Sequence, residues 1–341
     1  MEIDKLINKS MLNNKIDKEN MRNIIIKSAE QLKEGLKLAK NIKIEGNFTN
    51  IIICGMGGSA LSAYLVDTLL IKTTLPIYIH QDYNLPLQTN QNSLIICISY
   101  SGNTEETISA LGEALKKNIK TVAISTGGKI TSICQQNNIP LVIIPTGIQP
   151  RCATGYIFSA LAQILINLKI IEDIAPQIIE TSTELKKTMI YLEKEGKELA
   201  KKLFKKTPII YASNKFKEIA RILKIKFNEN SKIPAFYNYF PELNHNEMVG
   251  YTKAKKDFFV IIIQDSDDHP RILKRMQLTA KLISQKGIKT EIINIKAGSM
   301  LFKIFSTLLL GDWASYYLAL EYKVDPTPVK IVEEFKKLMR E

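Results

Sequence analysis

The chain has 341 residues, 45% hydrophobic and 24% charged, which is enough apolar material for two ordinary globular domains and too much for a disordered polymer. Forty-seven Lys and Arg against 34 Asp and Glu give a formal charge of +13, a balance that suits nucleic acid or small anions. The basic residues are spread along helical stretches such as Lys186-Lys187 and Lys201-Lys202, with no dense run interleaved with aromatics, so small anions are favoured over nucleic acid.

In chain order, residues 17–44 carry apolar positions at helical spacing, among them Ile24, Ile25, Ala29, Leu32, Leu36 and Ala39. Apolar runs at 51–54, 76–80, 94–98, 120–124 and 140–144 then read as strands. Helical patterns at 59–71, 104–117 and 129–137 lie between them, and a further helix is expected at about 153–170. Continuous Ile/Val/Leu runs separated by helices predict a parallel sheet covered on both faces. Residues 172–205 are helical, charged and almost devoid of turn signals, and read as a connector. The alternation then restarts: strand 208–212, helix 215–228, strand 258–263, helix 270–286, strand 289–295 and helix 300–320. The expected fold class is α/β, two domains each a parallel sheet flanked by helices in three layers. The expected partition is 1–170, a helical connector at 171–205, and 206–341.

Two turns carry the chemistry. Gly55-Met56-Gly57-Gly58-Ser59 follows the first strand, and Ser99-Tyr100-Ser101-Gly102-Asn103-Thr104-Glu105-Glu106 follows the third. Both sit at strand C-termini and helix N-termini, where unpaired N–H groups and the helix dipole favour an anion. The second turn adds the hydroxyls of Ser99, Ser101 and Thr104 and no Lys, which suits the phosphate monoester of a small organic molecule. Gly55-x-Gly57-x-x-Ala60 satisfies a loose dinucleotide fingerprint, but Asp82 comes too late for its ribose-binding acid, and no Gly-x-x-x-x-Gly-Lys run is present. In the second half the corresponding loop, Gln264-Asp265-Ser266-Asp267-Asp268-His269, is acidic and is expected to repel phosphate, so one phosphate site per chain is predicted. Cys54, Cys97, Cys134 and Cys152 lack metal spacing and read as small thiols in a reducing cytoplasm. The N-terminus shows no signal-peptide pattern, and no apolar stretch reaches ~18 residues, so neither secretion nor a membrane span is expected.

The Gly-Gly-Ser turn followed by Ser-x-Ser-Gly-Asn-Thr-x-Glu is similar to the hallmark of SIS (sugar isomerase) domains. Two such domains, together with Pro150-Arg151, Asn228-Glu229-Asn230, Glu242-Leu243-Asn244-His245-Asn246-Glu247 and Glu321-Tyr322-Lys323-Val324-Asp325-Pro326, resemble the bifunctional phosphoglucose/phosphomannose isomerases. That resemblance implies phosphate binding at Gly57, Gly58, Ser59, Ser99, Ser101 and Thr104, with Glu229 as the base that moves a proton between C1 and C2. It implies that His245 opens the sugar ring from the neighbouring subunit of a homodimer, that Lys323 assists near the ring oxygen, and that Arg151 stabilises the enediolate. It further implies glucose 6-phosphate and mannose 6-phosphate interconverting with fructose 6-phosphate in the cytoplasm, with no cofactor and no metal. The chemistry agrees: a buried carboxylate is tunable toward neutral pH, an Arg suits a developing oxyanion, and a His suits ring opening. Taken singly, each residue has a plainer reading. Glu229 reads as a solvated helix end, His245 as an exposed loop histidine, Arg151 as a strand cap or the partner of a carboxylate, and Lys323 as one lysine of many. Asn246 and Glu247 either share the role of His245 or orient it. Two rivals stay open: a sugar-phosphate-sensing regulator, against which residues 1–45 show no helix-turn-helix, and an enzyme of amino sugar phosphates.

Overall fold

The computed structural model describes residues 15–69, 73, 75–254 and 257–339. Residues 70–71, the end of the expected 59–71 helix, lie outside the described residues. The chain forms two compact units: Lys27–Lys186, and Lys187–Glu341 together with the chain through Ile26. The division falls inside two helices, α1 (Met21–Ala39) and α6 (Ala175–Leu203). It therefore differs from the partition read from sequence, because the start of α1 is tied to the C-terminal half. Asp17 accepts from the backbone N–H groups of Met21 (2.7 Å) and Arg22 (3.1 Å), which satisfies the first helical donors. The buried Arg22 then pairs with Glu193 at 2.8 Å.

The unit Lys27–Lys186 holds five parallel strands, β1 (Asn50–Gly55), β2 (Ile77–His80), β3 (Ser93–Ser99), β4 (Thr121–Ser125) and β5 (Leu141–Ile143), in the order β2-β1-β3-β4-β5. Four helices accompany them: α2 (Gly58–Leu69), α3 (Glu105–Lys116), α4 (Gly128–Gln136) and α5 (Thr154–Asn167). One face of the sheet (Ile52, Cys54, Ile95, Cys97, Ala123) packs on Ala110, Leu111 and Ala114 of α3 and on Ile130 and Cys134 of α4. The alternate residues Ile51, Ile53, Leu94, Ile96 and Ile124 are buried too, and α2 packs against α5. Burial on both faces is why the strands read as unbroken apolar runs.

The other unit holds four parallel strands, β6 (Thr207–Ser213), β7 (Phe236–Phe240), β8 (Phe258–Gln264) and β9 (Lys289–Asn294), in the order β7-β6-β8-β9. Counted within the unit this is 2-1-3-4, the same order without a fifth strand among the described residues. The helices are α7 (Lys217–Ser231), α8 (Pro270–Gln285), α9 (Met300–Glu321) and α10 (Lys330–Leu338). α9 is buried almost all round, as an apolar helix without an amphipathic face must be. It packs on α7, where the buried Lys226 pairs with Asp312 at 2.6 Å. Neither β7 nor α10 was expected from sequence. β7 is an edge strand of aromatic and Asn residues, half-exposed and closed by Pro241, so it lacks the apolar run that marks its neighbours. α10 is short and buries none of its residues.

Candidate functional site

In a sheet of order 2-1-3-4, the chain leaves the first strand toward one edge and returns to the other side. A crevice opens beyond the C-terminal ends of the first and third strands, where ligands of such sheets bind. In the unit Lys27–Lys186 that place lies between β1 and β3, and the two Gly/Ser turns occupy it. Gly57 takes a left-handed φ of +49°, and the turn closes with Ser59 N–H donating to Met56 O (3.0 Å) and Ala60 N–H to Gly57 O (3.1 Å). The second turn is locked by a 2.8 Å hydrogen bond between the Ser99 and Thr104 hydroxyls. The turns are joined directly: the buried Ser59 hydroxyl accepts from Tyr100 N–H at 3.0 Å.

Gly102, φ +66°, requires glycine for space as well as for conformation. A Cβ there would sit 1.7 Å from the carbonyl oxygen of Gly127. Ser101 is exposed on this loop, its hydroxyl accepting from Asn103 N–H at 3.2 Å. Thr104 stands at the N-cap of α3 and makes no side-chain cap hydrogen bond, its hydroxyl being turned to Ser99, so its side chain does not satisfy the first-turn donors of α3. Glu105, in that first turn, is drawn aside by Tyr83 at 3.2 Å. Burial holds the Tyr100 hydroxyl above the usual phenol range, and it donates to Pro145 O at 3.0 Å.

Arg151 joins this group. It is buried (1% exposed) on a 3-10 turn, Pro150–Cys152, whose backbone abuts the first Gly turn. A Cβ on Gly58 would lie 2.6 Å from Arg151 N, so only glycine permits the approach. Gly57, Gly58, Ser59, Ser99, Ser101, Thr104 and Arg151 thus converge on one pair of strand ends.

Glu229, His245 and Lys323 belong to the other unit. Glu229 sits in the last turn of α7, which is pinned to α9. Asn230 Nδ2 donates to the Ser315 hydroxyl at 2.9 Å and the Ser231 hydroxyl to Ser315 O at 2.7 Å. Glu229 lines a cavity of about 780 Å³ with Lys18, Lys232, Asp325 and Ile331, within the size range of small-molecule sites. Lys232, left-handed at the C-cap of α7, donates to the backbone oxygens of Glu229 and of Pro326, the latter at 3.0 Å. Lys323 is exposed just beyond α9 with φ +57°, and the N–H of Val324 closes the helix on Ala319 O at 3.0 Å. His245 ends a 3-10 turn (Glu242–His245), is exposed, and has no side-chain hydrogen bond among the described residues. Neither His245 nor Lys323 lines the Glu229 cavity. Sequence reasoning missed Lys18, Lys232 and Asp325 as lining, and nothing in their spacing marks them.

Residues 46–167 match the SIS domain family, and residues 192–339 match the family described as bacterial phospho-glucose isomerase C-terminal SIS domain. A Caldicellulosiruptor bescii protein named bifunctional phosphoglucose/phosphomannose isomerase is 38% identical over 329 residues, covering 92% of this chain and 96% of its own. The chain belongs to the bifunctional phosphoglucose/phosphomannose isomerase family. An Aquifex aeolicus protein of that name is 31% identical over 86% of this chain and 91% of its own. Among solved structures, the C-terminal domain of glucosamine-fructose-6-phosphate aminotransferase from Francisella tularensis superposes with a TM-score of 0.69 at 16% identity, covering 90% of this chain and 97% of that one, which shows a shared fold.

In the second unit the equivalent place, between β6 and β8, is already filled. The buried Asp265 takes Lys303 Nζ at 2.8 Å and Lys215 Nζ at 2.9 Å, and Lys303 also reaches Asp267 at 2.5 Å. The acidic loop therefore has cations of its own, which the sequence reading did not pair with it. Burial opposes the charge of Asp265, but the two lysines outweigh it and hold its carboxyl below the usual range.

Proposed function

We infer that this chain is an aldose–ketose isomerase that interconverts glucose 6-phosphate and mannose 6-phosphate with fructose 6-phosphate. The observation that carries the inference is kinship along 92% of the chain with a protein named for both activities. The paired hydroxyl turns beside a buried Arg151 give the phosphate a chemically suitable place.

In this reading Ser59, Ser99, Ser101, Thr104 and the N–H groups around Gly57 and Gly58 hold the phosphate. The reaction needs no metal or cofactor. Glu229 as carboxylate takes the C2 proton of the open-chain aldose. The C2 electron pair forms C1=C2, and charge develops on O1, where Arg151 stabilises it. The O2 proton passes to O1 by way of the cis-enediol, and as O2 becomes the carbonyl Glu229 returns its proton to C1, giving the ketose. Because the enediol has lost the C2 stereocentre, return of the proton to C2 yields either epimer, so mannose 6-phosphate is served by the same groups. His245 opens the ring in the site of a second copy of the chain, so the working form is a homodimer, and Lys323 assists near the ring oxygen. The exposed position of His245, which has no side-chain hydrogen bond among the described residues, supports that division of labour. A cytoplasmic setting belongs to the same reading, supported by the buried thiols of Cys54, Cys97 and Cys134.

The test is turnover by purified protein in EDTA, with glucose 6-phosphate and mannose 6-phosphate supplied separately and fructose 6-phosphate monitored. Turnover of both is expected. Binding of fructose 6-phosphate with turnover of neither would replace this reading by that of a sensor.

A further inference from the structure

The segment between β7 and β8 carries His245 on two 3-10 turns, Glu242–His245 and Glu247–Thr252, with no ladder hydrogen bonds to support it. It is held instead by side chains on both sides of the histidine. Leu243 (0% exposed) and Tyr251 (6%) are plugged into the core with Tyr211, Phe240 and Met276. Asn244, one residue before His245, donates to the Thr279 hydroxyl of α8 at 2.9 Å and accepts from Arg275 at 3.3 Å. Glu247, two residues after it, accepts from the Tyr211 hydroxyl of β6 on one carboxylate oxygen and from Asn238 Nδ2 of β7 on the other. Burial, the neighbouring Tyr251 and Glu247 together hold Tyr211 well above the usual phenol range, so it remains a donor.

The half-buried Glu247 carboxylate is thus spent on the sheet, with both oxygens engaged, and is not poised to exchange a proton with substrate. We propose that Glu247 is a positioning residue, clamping the His245 loop to β6 and β7 so that the imidazole is presented at a fixed place. The proposal rests on the reading of His245 as a group that acts on substrate. It answers the question left open by sequence: Glu247 orients His245 and does not share its role. Asn246 is not part of the clamp: among the described residues its Nδ2 donates to Glu242 of its own loop, at 2.7 Å.

A clamp of this kind acts on geometry. Displacements of about 1 Å at a reacting group cost up to about 100-fold in rate, whereas the phosphate turns and hence ground-state binding are untouched. Glu247→Ala removes both hydrogen bonds, and Tyr211→Phe removes one with little change of volume. The experiment is steady-state kinetics on glucose 6-phosphate for Glu247→Ala, Tyr211→Phe, His245→Ala and the Glu247→Ala/His245→Ala double variant, with melting curves alongside. The expected result is a fall in kcat of about 10- to 100-fold for Glu247→Ala and about threefold for Tyr211→Phe, with KM changed by less than about threefold. In the His245→Ala background Glu247→Ala causes no further fall, because the group it positions is gone. An equal fall in both backgrounds would show a general structural role and overturn the proposal. So would wild-type kcat in Glu247→Ala and Tyr211→Phe while His245→Ala is impaired. Should Glu247→Ala fail to fold, Tyr211→Phe carries the same cycle with His245→Ala. Wild-type kcat in His245→Ala would instead overturn the role of His245 itself and the proposal with it, a result told apart by that single variant.

Discussion

The switch point between β1 and β3 and the one between β6 and β8 are built on the same strand order and filled in opposite ways. The first is lined by hydroxyls and glycine backbone, with Ser59 and Tyr100 joining its two turns and Arg151 packed behind them. The second is closed by Lys215 and Lys303 on Asp265 and Asp267, a self-neutralised plug. The same topology therefore ends in hydroxyl and glycine turns in one unit, where we place the phosphate, and in an ion cluster in the other. The difference lies in the residues that follow the strands. The proton chemistry proposed for the second unit lies elsewhere in it, at the end of α7 and in the loop after β7.

The largest test of that division is Glu229→Gln. It keeps the shape of α7 and removes the proposed base, so kcat is expected to fall by about 10³-fold, as loss of a general base does, while KM stays within a few-fold. Full activity in this variant would remove the base from the second unit.

Asp265→Asn probes the plug. It leaves the buried Lys303 short of its closest buried partner, so denaturant unfolding at pH 7 should show a loss of about 3 kcal/mol, while KM is unchanged. The folded carboxyl of Asp265 lies below its ordinary value. Its contribution is therefore present above the unfolded pKa near 3.9 and lost as pH falls through the folded value. The gap between wild type and Asp265→Asn should close on acidification below about pH 4; a gap that widens there would contradict the ion cluster.

Gly58→Ala tests the first switch point. Its Cβ would lie 2.6 Å from Arg151 N and 2.7 Å from Pro150 C. Relieving that crowding costs about 2 kcal/mol, and the shift of Arg151 lowers kcat as well as raising KM. Unaltered kinetics would separate Arg151 from the turn. The smallest effect belongs to Ser101→Ala. Loss of one hydrogen bond to an anion costs about 1.5 kcal/mol, read as a KM raised about tenfold at nearly constant kcat, because the phosphate is remote from the reacting carbons.

What was legible in the sequence follows the physics of burial. The inner strands of the first sheet, β1, β3 and β4, buried on both faces, announce themselves as apolar runs, and the Gly/Ser turns stand out because their backbone conformations and hydroxyls leave few alternatives. β7 was hidden because a half-exposed edge strand, Phe236-Tyr237-Asn238-Tyr239-Phe240, has no such run. The ion cluster was hidden because Lys303 is far in sequence from Asp265 and looks like any other lysine. The engagement of Glu247 by Tyr211 was invisible for the same reason: long-range pairing of polar side chains leaves no local pattern. Left-handed lysines illustrate the converse. Lys323 has φ +57°, but Lys169, Lys205 and Lys232 do as much at other turns, so the conformation does not single it out.

The most direct measurement is a calorimetric titration of Glu229→Gln with fructose 6-phosphate, counting sites per chain in a protein that binds without turning over. One site per chain is predicted, since one switch point is lined for phosphate and the other is plugged. Two sites per chain, or no binding once Glu229 is replaced, would contradict it.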